Sequence, residues 1–519
     1  MPLRRVVRVS APIVVALAAW LVVSAAQEPQ TPSTLRSLVA DLTAPGTDRG
    51  LRANDPPKAP RTAAQTHRID RTGRDLPYEP GSVIVKFRAG TSATSRLASV
   101  ASVSAVATQT PAYANFEIVR IADDADPEEV ARQLSARPDV EYAQARYRIH
   151  PLFVPNDPFY RQQWNFPLID MERAWDINPG ASSSIVVAVL DTGVAYRSAI
   201  IRITVDAFTL PDTTLRYPAL GTIEVPFAAA PDLGSGDRFV LPRDFIWNDD
   251  LPVDLDGHGT HVSGTIGQAT NNGVGVAGMA FNVRIMPVKV IDTDWDFIFD
   301  SPNLGTDDVV ARGIRYAADN GAKVLNMSIG RTGPPAPVVE EAIRYAVSRG
   351  AFVAIAAGNE FEQGNPLSRL AEIASRVDGA VSVAAVSRDR TRAFYSTTGS
   401  YIELAAPGGD ARRNGAPGGV LQQTYDLGFV ETFLSGPAGF HAPRFDIFVY
   451  SFFQGTSMAA PHVSGFAALL MQQGVTNPAA IEAIMKRYAT DLGAPGRDDE
   501  FGAGLINPRA ALRGLGLAR

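Results

Sequence analysis

Cysteine is absent from all 519 residues, so no disulfide staples this fold and no thiolate serves it as nucleophile or metal ligand. A strong charge of one sign is missing too. The 48 Lys+Arg and 54 Asp+Glu leave a formal net charge of −6, which gives no reason to expect a nucleic-acid partner. The balance is uneven along the chain: residues 1–150 stand near +4 and the remainder near −10. Long apolar runs are scarce. The run from Ala11 to Val23 holds 13 residues, against about 20 for a helical membrane span. It follows Arg4, Arg5 and Arg8 and precedes Ser24-Ala25-Ala26, the pattern of an export signal cut after Ala26. Residues 1–26 are therefore expected to leave as a signal peptide. The mature form is expected to be secreted, extracellular or periplasmic, without a stable membrane span.

What is present falls into three textures. Residues 27–78 are rich in Pro, Thr, Arg and Ala with little periodicity, as a linker would be. From 79 to 150 the pattern becomes strand, helix, strand, helix, strand. Ser82–Phe87, Asn115–Ile121 and Val140–Ala145 alternate like strands, and Asp126-Pro127-Glu128-Glu129 opens a helix with its acids in the first turn. That order predicts a small α+β unit. From Ile185 onward come apolar runs at Ile185–Leu190, Arg284–Ile291, Ala322–Ile329, Ala351–Ala357, Ala380–Val386 and Tyr401–Ala406. They alternate with helical patterns at Asp307–Asn320 and Val338–Arg349, each followed by glycine. Runs apolar on both faces, separated by helices, predict an α/β fold on a parallel sheet.

Three separated motifs carry chemistry. Asp191-Thr192-Gly193 follows the first apolar run. His258 lies in Asp256-Gly-His-Gly-Thr-His261, and Ser457 in Gly455-Thr-Ser-Met-Ala-Ala-Pro461-His462. A serine hydroxyl needs an adjacent base to attack a carbonyl, and the base needs an acid to hold its tautomer. An Asp-Thr-Gly turn alone is a loop cap, a serine at a helix start is commonly a cap, and His-x-x-His suggests zinc. The aspartic-protease reading fails for want of a second Asp-Thr-Gly or Asp-Ser-Gly triplet, and the zinc reading for want of the intervening Glu. The chain order Asp, His, Ser is the subtilisin order. Over roughly residues 80 to 510 the sequence resembles subtilisin-like serine proteases.

The resemblance implies a three-layer, parallel-sheet peptidase domain over 151–519, preceded by a ferredoxin-like inhibitory propeptide over 79–150. An independent accessory domain is the alternative for that second unit. Processing is expected between about Tyr147 and Asn156. Asp191, His258 and Ser457 would form the triad, with Asn359, at the end of the run Ala351–Ala357, donating to the oxyanion. Asn326, Met327, Ser328, Ile329 and Gly330 resemble the family's peptide-pairing strand, and Ala356, Ala357 and Gly358 its facing wall. Two departures stand out. Arg331 replaces a second glycine, and Leu370-Ala371-Glu372 stands where the floor of the specificity pocket usually carries Pro-Ala; Glu372 either favours basic side chains there or points to solvent. Insertions at 198–240 and 425–450 either shape the cleft or decorate the surface. Calcium is the only cofactor implied, in a structural role. Asp157 and Asn272 resemble one site that lacks an acid near Ile200, and Asp244 and Asp249 resemble a second, incomplete one. The chemistry itself needs no cofactor. Expected partners are protein or peptide substrates and the chain's own propeptide. A catalytically silent binding module and an esterase with the same triad are the rivals; the four competent residues speak against the first and the peptide-pairing strand against the second.

Overall fold

Val, Ala and Leu fill both faces of the segment Val186–Asp191, and a strand buried on both sides must lie inside a sheet covered above and below. All six of its residues are buried, and it sits near the centre of a seven-stranded parallel sheet. The computed structural model describes residues 78–515 apart from 106, 148–152, 211–212, 235, 293–304, 427–435 and 442–443. The expected signal peptide, nearly all of the linker and most of the processing stretch lie outside the described residues.

The described residues fall into two compact units. In the first, β1 (Tyr78–Phe87), β2 (Ala107–Gln109), β3 (Glu117–Arg120) and β4 (Val140–Tyr147) form a sheet in the order β2-β3-β1-β4. Helices α1 (Ala93–Ala101) and α2 (Pro127–Ser135) complete a βαββαβ chain, the ferredoxin-like arrangement. Pro127 opens α2, and Asp126 caps it by accepting the Glu128 N–H at 3.0 Å. The short strand β2 had no visible signal, because three residues pairing on a sheet edge carry no period.

The second unit is built on β5 (Val186–Asp191), β6 (Arg243–Asp244), β7 (Arg284–Lys289), β8 (Val324–Met327), β9 (Phe352–Ala356), β10 (Ala380–Val386) and β11 (Leu404–Pro407). They pair in the order β6-β7-β5-β8-β9-β10-β11, all parallel. Six of the seven coincide with the apolar runs; β6 is a two-residue edge. Helices α3 (His258–Gly267), α4 (Asp307–Asp319), α5 (Pro337–Ser348) and α6 (Thr456–Gln472) pack against the sheet. Helix α6 is buried on almost every face, which its Ala and Gly residues permit by letting neighbours approach closely.

The two insertions meet. Ala199–Val205 pairs with Gly221–Phe227, and the second insertion extends a hairpin made of Val420–Tyr425 and Phe448–Phe453. Phe227 stacks on Phe445 at 4.5 Å, and Phe208, Tyr217 and Phe440 pack mutually at 5.0 to 5.4 Å. The Ala228 N–H donates to the Phe445 carbonyl at 3.0 Å. Together they form a second core that also takes in Val194, Ala195, Val253 and Leu255, the residues flanking Asp191 and preceding His258.

Candidate active site

Strands of a parallel sheet all end at one edge, and that edge gathers the motifs. Strand β5 ends on Asp191, which is fully buried. Its Oδ1 accepts the Thr192 N–H at 2.8 Å and receives His258 Nδ1 at 2.6 Å. His258 opens α3 behind Gly257, whose φ of +93° suits glycine. Burial by itself would push the imidazole pKa down. The Asp191 carboxylate, through charge and hydrogen bond, outweighs burial and raises it to about 9, with Asp256 and Asp254 adding smaller pulls in the same direction.

Asp254 is the residue that sequence reasoning missed. Its buried carboxylate accepts the N–H groups of Asp256, Gly257 and Thr260 at 3.0, 2.8 and 2.9 Å, and the hydroxyls of Thr192 and Thr260 at 2.9 and 2.6 Å. It satisfies the free amides at the start of α3 and ties that start to the loop after Asp191. The available signal was an Asp four residues before the histidine, placed to cap the coming helix.

Ser457 stands in the first turn of α6 and is half-buried. Its Oγ donates to the Ser328 carbonyl at 3.1 Å, and no hydrogen bond joins it to His258. Asn359 follows β9 after Gly358, whose φ is +113°. The Asn359 Oδ1 accepts the Thr456 N–H at 2.9 Å and the Thr456 hydroxyl at 3.0 Å. With the oxygen engaged there, the amide nitrogen of this exposed residue remains a donor.

A pocket of ≈ 170 Å³ runs between Ser328–Arg331 and Ala356–Glu360, with Ser368 and Ser457 on its walls. Of the predicted substrate residues, Ser328, Ile329, Gly330, Ala356 and Gly358 line it. Asn326, Met327 and Ala357 are fully buried and do not. Arg331 is held by Asp307 at 2.5 and 2.7 Å. Glu372 pairs with Arg369 and Arg376, both at 3.0 Å, so its charge is spent outside the pocket. His261 stacks on Phe453 at 4.2 Å, and burial lowers its pKa to about 3; His462, also buried, is lowered to about 4. Both are neutral packing residues.

The residues named for calcium lie in two separate loop clusters. Among the described residues, no group of three or more His, Cys, Asp or Glu gathers to hold a metal ion. Asp157 and Asn272 do share a loop cluster, and Asp232 from the first insertion joins them. Most of their oxygens are occupied by the protein's own donors. Asp157 Oδ2 accepts the Asn271 N–H at 2.7 Å, and Asn272 Oδ1 accepts the Val274 N–H at 2.8 Å. The Asn272 amide donates to Asp232 Oδ1 at 2.8 Å, and the Val276 N–H to Asp232 Oδ2 at 3.1 Å. Asp244 Oδ1 accepts the N–H groups of Ile246 and Trp247, while Asp249 Oδ1 accepts that of Leu251. Burial raises the Asp244 pKa to about 6 against the opposing charge of Lys289, an ammonium buried beside Asp292 at 3.0 Å. Calcium takes six to eight oxygens. Each cluster keeps one buried carboxylate oxygen without a protein partner, Asp157 Oδ1 and Asp244 Oδ2, but neither gathers three acids.

The model of the Subtilase family matches residues 182–504, and that of the Fervidolysin N-terminal prodomain matches residues 64–145. The chain is 30% identical over 435 residues to a thermophilic serine proteinase of Bacillus sp. (strain AK1), covering 83% of this chain and 87% of that protein. It is 30% identical over 408 residues to an extracellular protease of Xanthomonas campestris pv. campestris, covering 76% of this chain and 62% of that protein. Among solved structures, a protease of Pseudoalteromonas arctica aligns with a TM-score of 0.52 at 29% identity, over 70% of this chain and 99% of that one.

Proposed function

Since this chain belongs to the subtilase family of serine proteases and carries a fervidolysin-like prodomain, we propose that it is a secreted endopeptidase made as a self-processing zymogen, working through Asp191, His258 and Ser457. In this reading 1–26 is the export signal, 27–78 a linker, 79–150 the inhibitory propeptide and 151–519 the peptidase. No helix among the described residues is long and apolar enough to cross a membrane.

The observation that carries the reading is the 2.6 Å contact between His258 Nδ1 and Asp191 Oδ1 at the end of the sheet. It fixes the proton on Nδ1 and leaves Nε2 unprotonated to accept from a hydroxyl. Ser457 Oγ rotates from Ser328 toward that nitrogen, gives up its proton and attacks the scissile carbonyl. The developing oxyanion takes hydrogen bonds from the Asn359 amide and from the free backbone N–H of Ser457 at the start of α6. The imidazolium, stabilised by Asp191, returns the proton to the leaving amine. Water then repeats the sequence on the acyl-enzyme.

Ser457→Ala tests both halves of the proposal. The variant is expected to persist as an unprocessed precursor and to take up no serine-directed fluorophosphonate, while the native chain is processed and labelled. Normal maturation of the alanine variant would disprove self-processing, and undiminished labelling would displace Ser457 as nucleophile.

A further inference from the structure

Ser457 sits four residues before Pro461 on α6. In a helix, the carbonyl of one residue is paired by the N–H four residues on, and proline has none. The Ser457 carbonyl therefore has no ordinary helical donor. The structure supplies one from outside the helix: the Ser328 hydroxyl donates to it at 2.8 Å. Ser328 in turn accepts from the Asn326 amide at 2.9 Å, and Asn326 Oδ1 accepts the Ser464 hydroxyl at 2.8 Å. Asn326 and Ser464 are fully buried and Ser328 is nearly so, at 0%, 0% and 4% exposure.

The direction of this chain is set at every member. The Ser457 carbonyl only accepts, so the Ser328 hydroxyl donates to it and accepts from the Asn326 amide, which leaves Asn326 Oδ1 to accept from Ser464. Residues 457, 461 and 464 fall on one face of α6 by helical spacing. That face is turned to β8, and β8 is paired with β5 so that Asn326 stands opposite Val189, two residues before Asp191. A short polar chain thus links the helix bearing the hydroxyl to the strand beside the one bearing the acid. Ser457 answers from its side, donating its own Oγ to the Ser328 carbonyl.

We propose that Asn326 and Ser464 are positioning residues for the nucleophile: through Ser328 they replace the hydrogen bond that Pro461 withholds, and they fix Ser457 relative to Asp191 and His258. The inference rests on Ser457 being the nucleophile. It also gives Asn326 a role that its burial makes compatible with the sheet interior, in place of the substrate contact expected from its motif. Misplacing a reacting atom by about 1 Å costs on the order of 100-fold, so loss of the chain is expected to show in turnover rather than in substrate binding.

The test compares native enzyme with Ser464→Ala, Asn326→Ala and the double variant, all normalised by active-site titration with a fluorophosphonate. For Ser464→Ala the proposal expects kcat per titrated site to fall about 10- to 100-fold, KM to stay within about twofold and the labelling rate to fall in step. Because the members act as one unit, the double variant is expected to lose no more than Asn326→Ala alone. If Asn326→Ala does not fold, Ser464→Ala, which leaves β8 unchanged, decides alone. An unchanged kcat per titrated site would reduce the chain to packing, and a raised KM at constant kcat would return Asn326 to substrate binding; either result overturns the proposal. A native chain that takes no label at Ser457 overturns the nucleophile assignment itself, which is a distinct result.

Discussion

At the scale of single residues, the proposed mechanism makes His258 and Asp191 set the working pH. The imidazole accepts a proton only when neutral, and its pKa is raised to about 9 by Asp191 acting against burial. Activity is therefore expected to climb with pH and to reach half its limit near pH 9, read from kcat/KM against pH. Asp191→Asn removes the charge and the correct tautomer together. Burial then dominates, so the midpoint should fall below the ordinary histidine value of about 6.5. Turnover should drop by about 10⁴-fold, the loss seen when the same change is made in another Asp-His-Ser protease. A midpoint that stays put would separate Asp191 from the titration of His258.

Among the elements, glycine decides how closely the histidine helix approaches the aspartate strand. A Cβ on Gly259 would lie 2.1 Å from the Gly193 carbonyl oxygen and 3.1 Å from Asp191 Oδ1. Backbone at that distance cannot yield without moving α3. Gly259→Ala is expected to destabilise the fold by about 1–3 kcal/mol and to abolish most activity, measured by denaturant unfolding and peptide hydrolysis. Gly330 is the opposite case, since a Cβ there meets only Ser368 Oγ, at 3.4 Å. Gly330→Ala should fold normally and change KM across substrates, because it narrows the pocket alone. If Gly259→Ala is active and Gly330→Ala unfolds, the packing argument is wrong. Both glycines lie in recognisable motifs, yet their opposite consequences depend on which neighbours the folded chain brings close.

For the whole molecule, the two insertions act as one body. Phe445→Ala would empty the stack against Phe227 and Tyr425, at a cost of about 3–5 kcal/mol. The same substitution should blunt activity, since that second core contains Val253 and Leu255, just before His258. Calcium offers a complementary measurement. With the candidate ligands engaged by N–H donors and Lys289 placed beside Asp244 and Asp292, the Tm is expected to stay within about 2 °C when a chelator is added, because no binding free energy is withdrawn. A large chelator-induced fall in Tm would show that those oxygens are released to a cation after all.

The run of strands and helices and the candidate triad were legible because both rest on local signals. Strands buried on both faces must be apolar at successive positions, and Asp191, His258 and Ser457 each sit in a short motif of small residues. Asp254, the Asn326–Ser464 chain and the union of the insertions were not legible. Each depends on a partner far along the chain, 62, 138 and 218 residues away, and no local period records such pairings. Whether the calcium clusters are complete was not legible for the same reason: residue types suited to a hard cation were visible in order, but only the folded loops decide whether an oxygen faces an open position or a backbone N–H. Sequence alone therefore determined the layers and the reactive groups, whereas tertiary structure decided their hydrogen-bond partners, because a polar atom's chemistry depends on which donor reaches it in space.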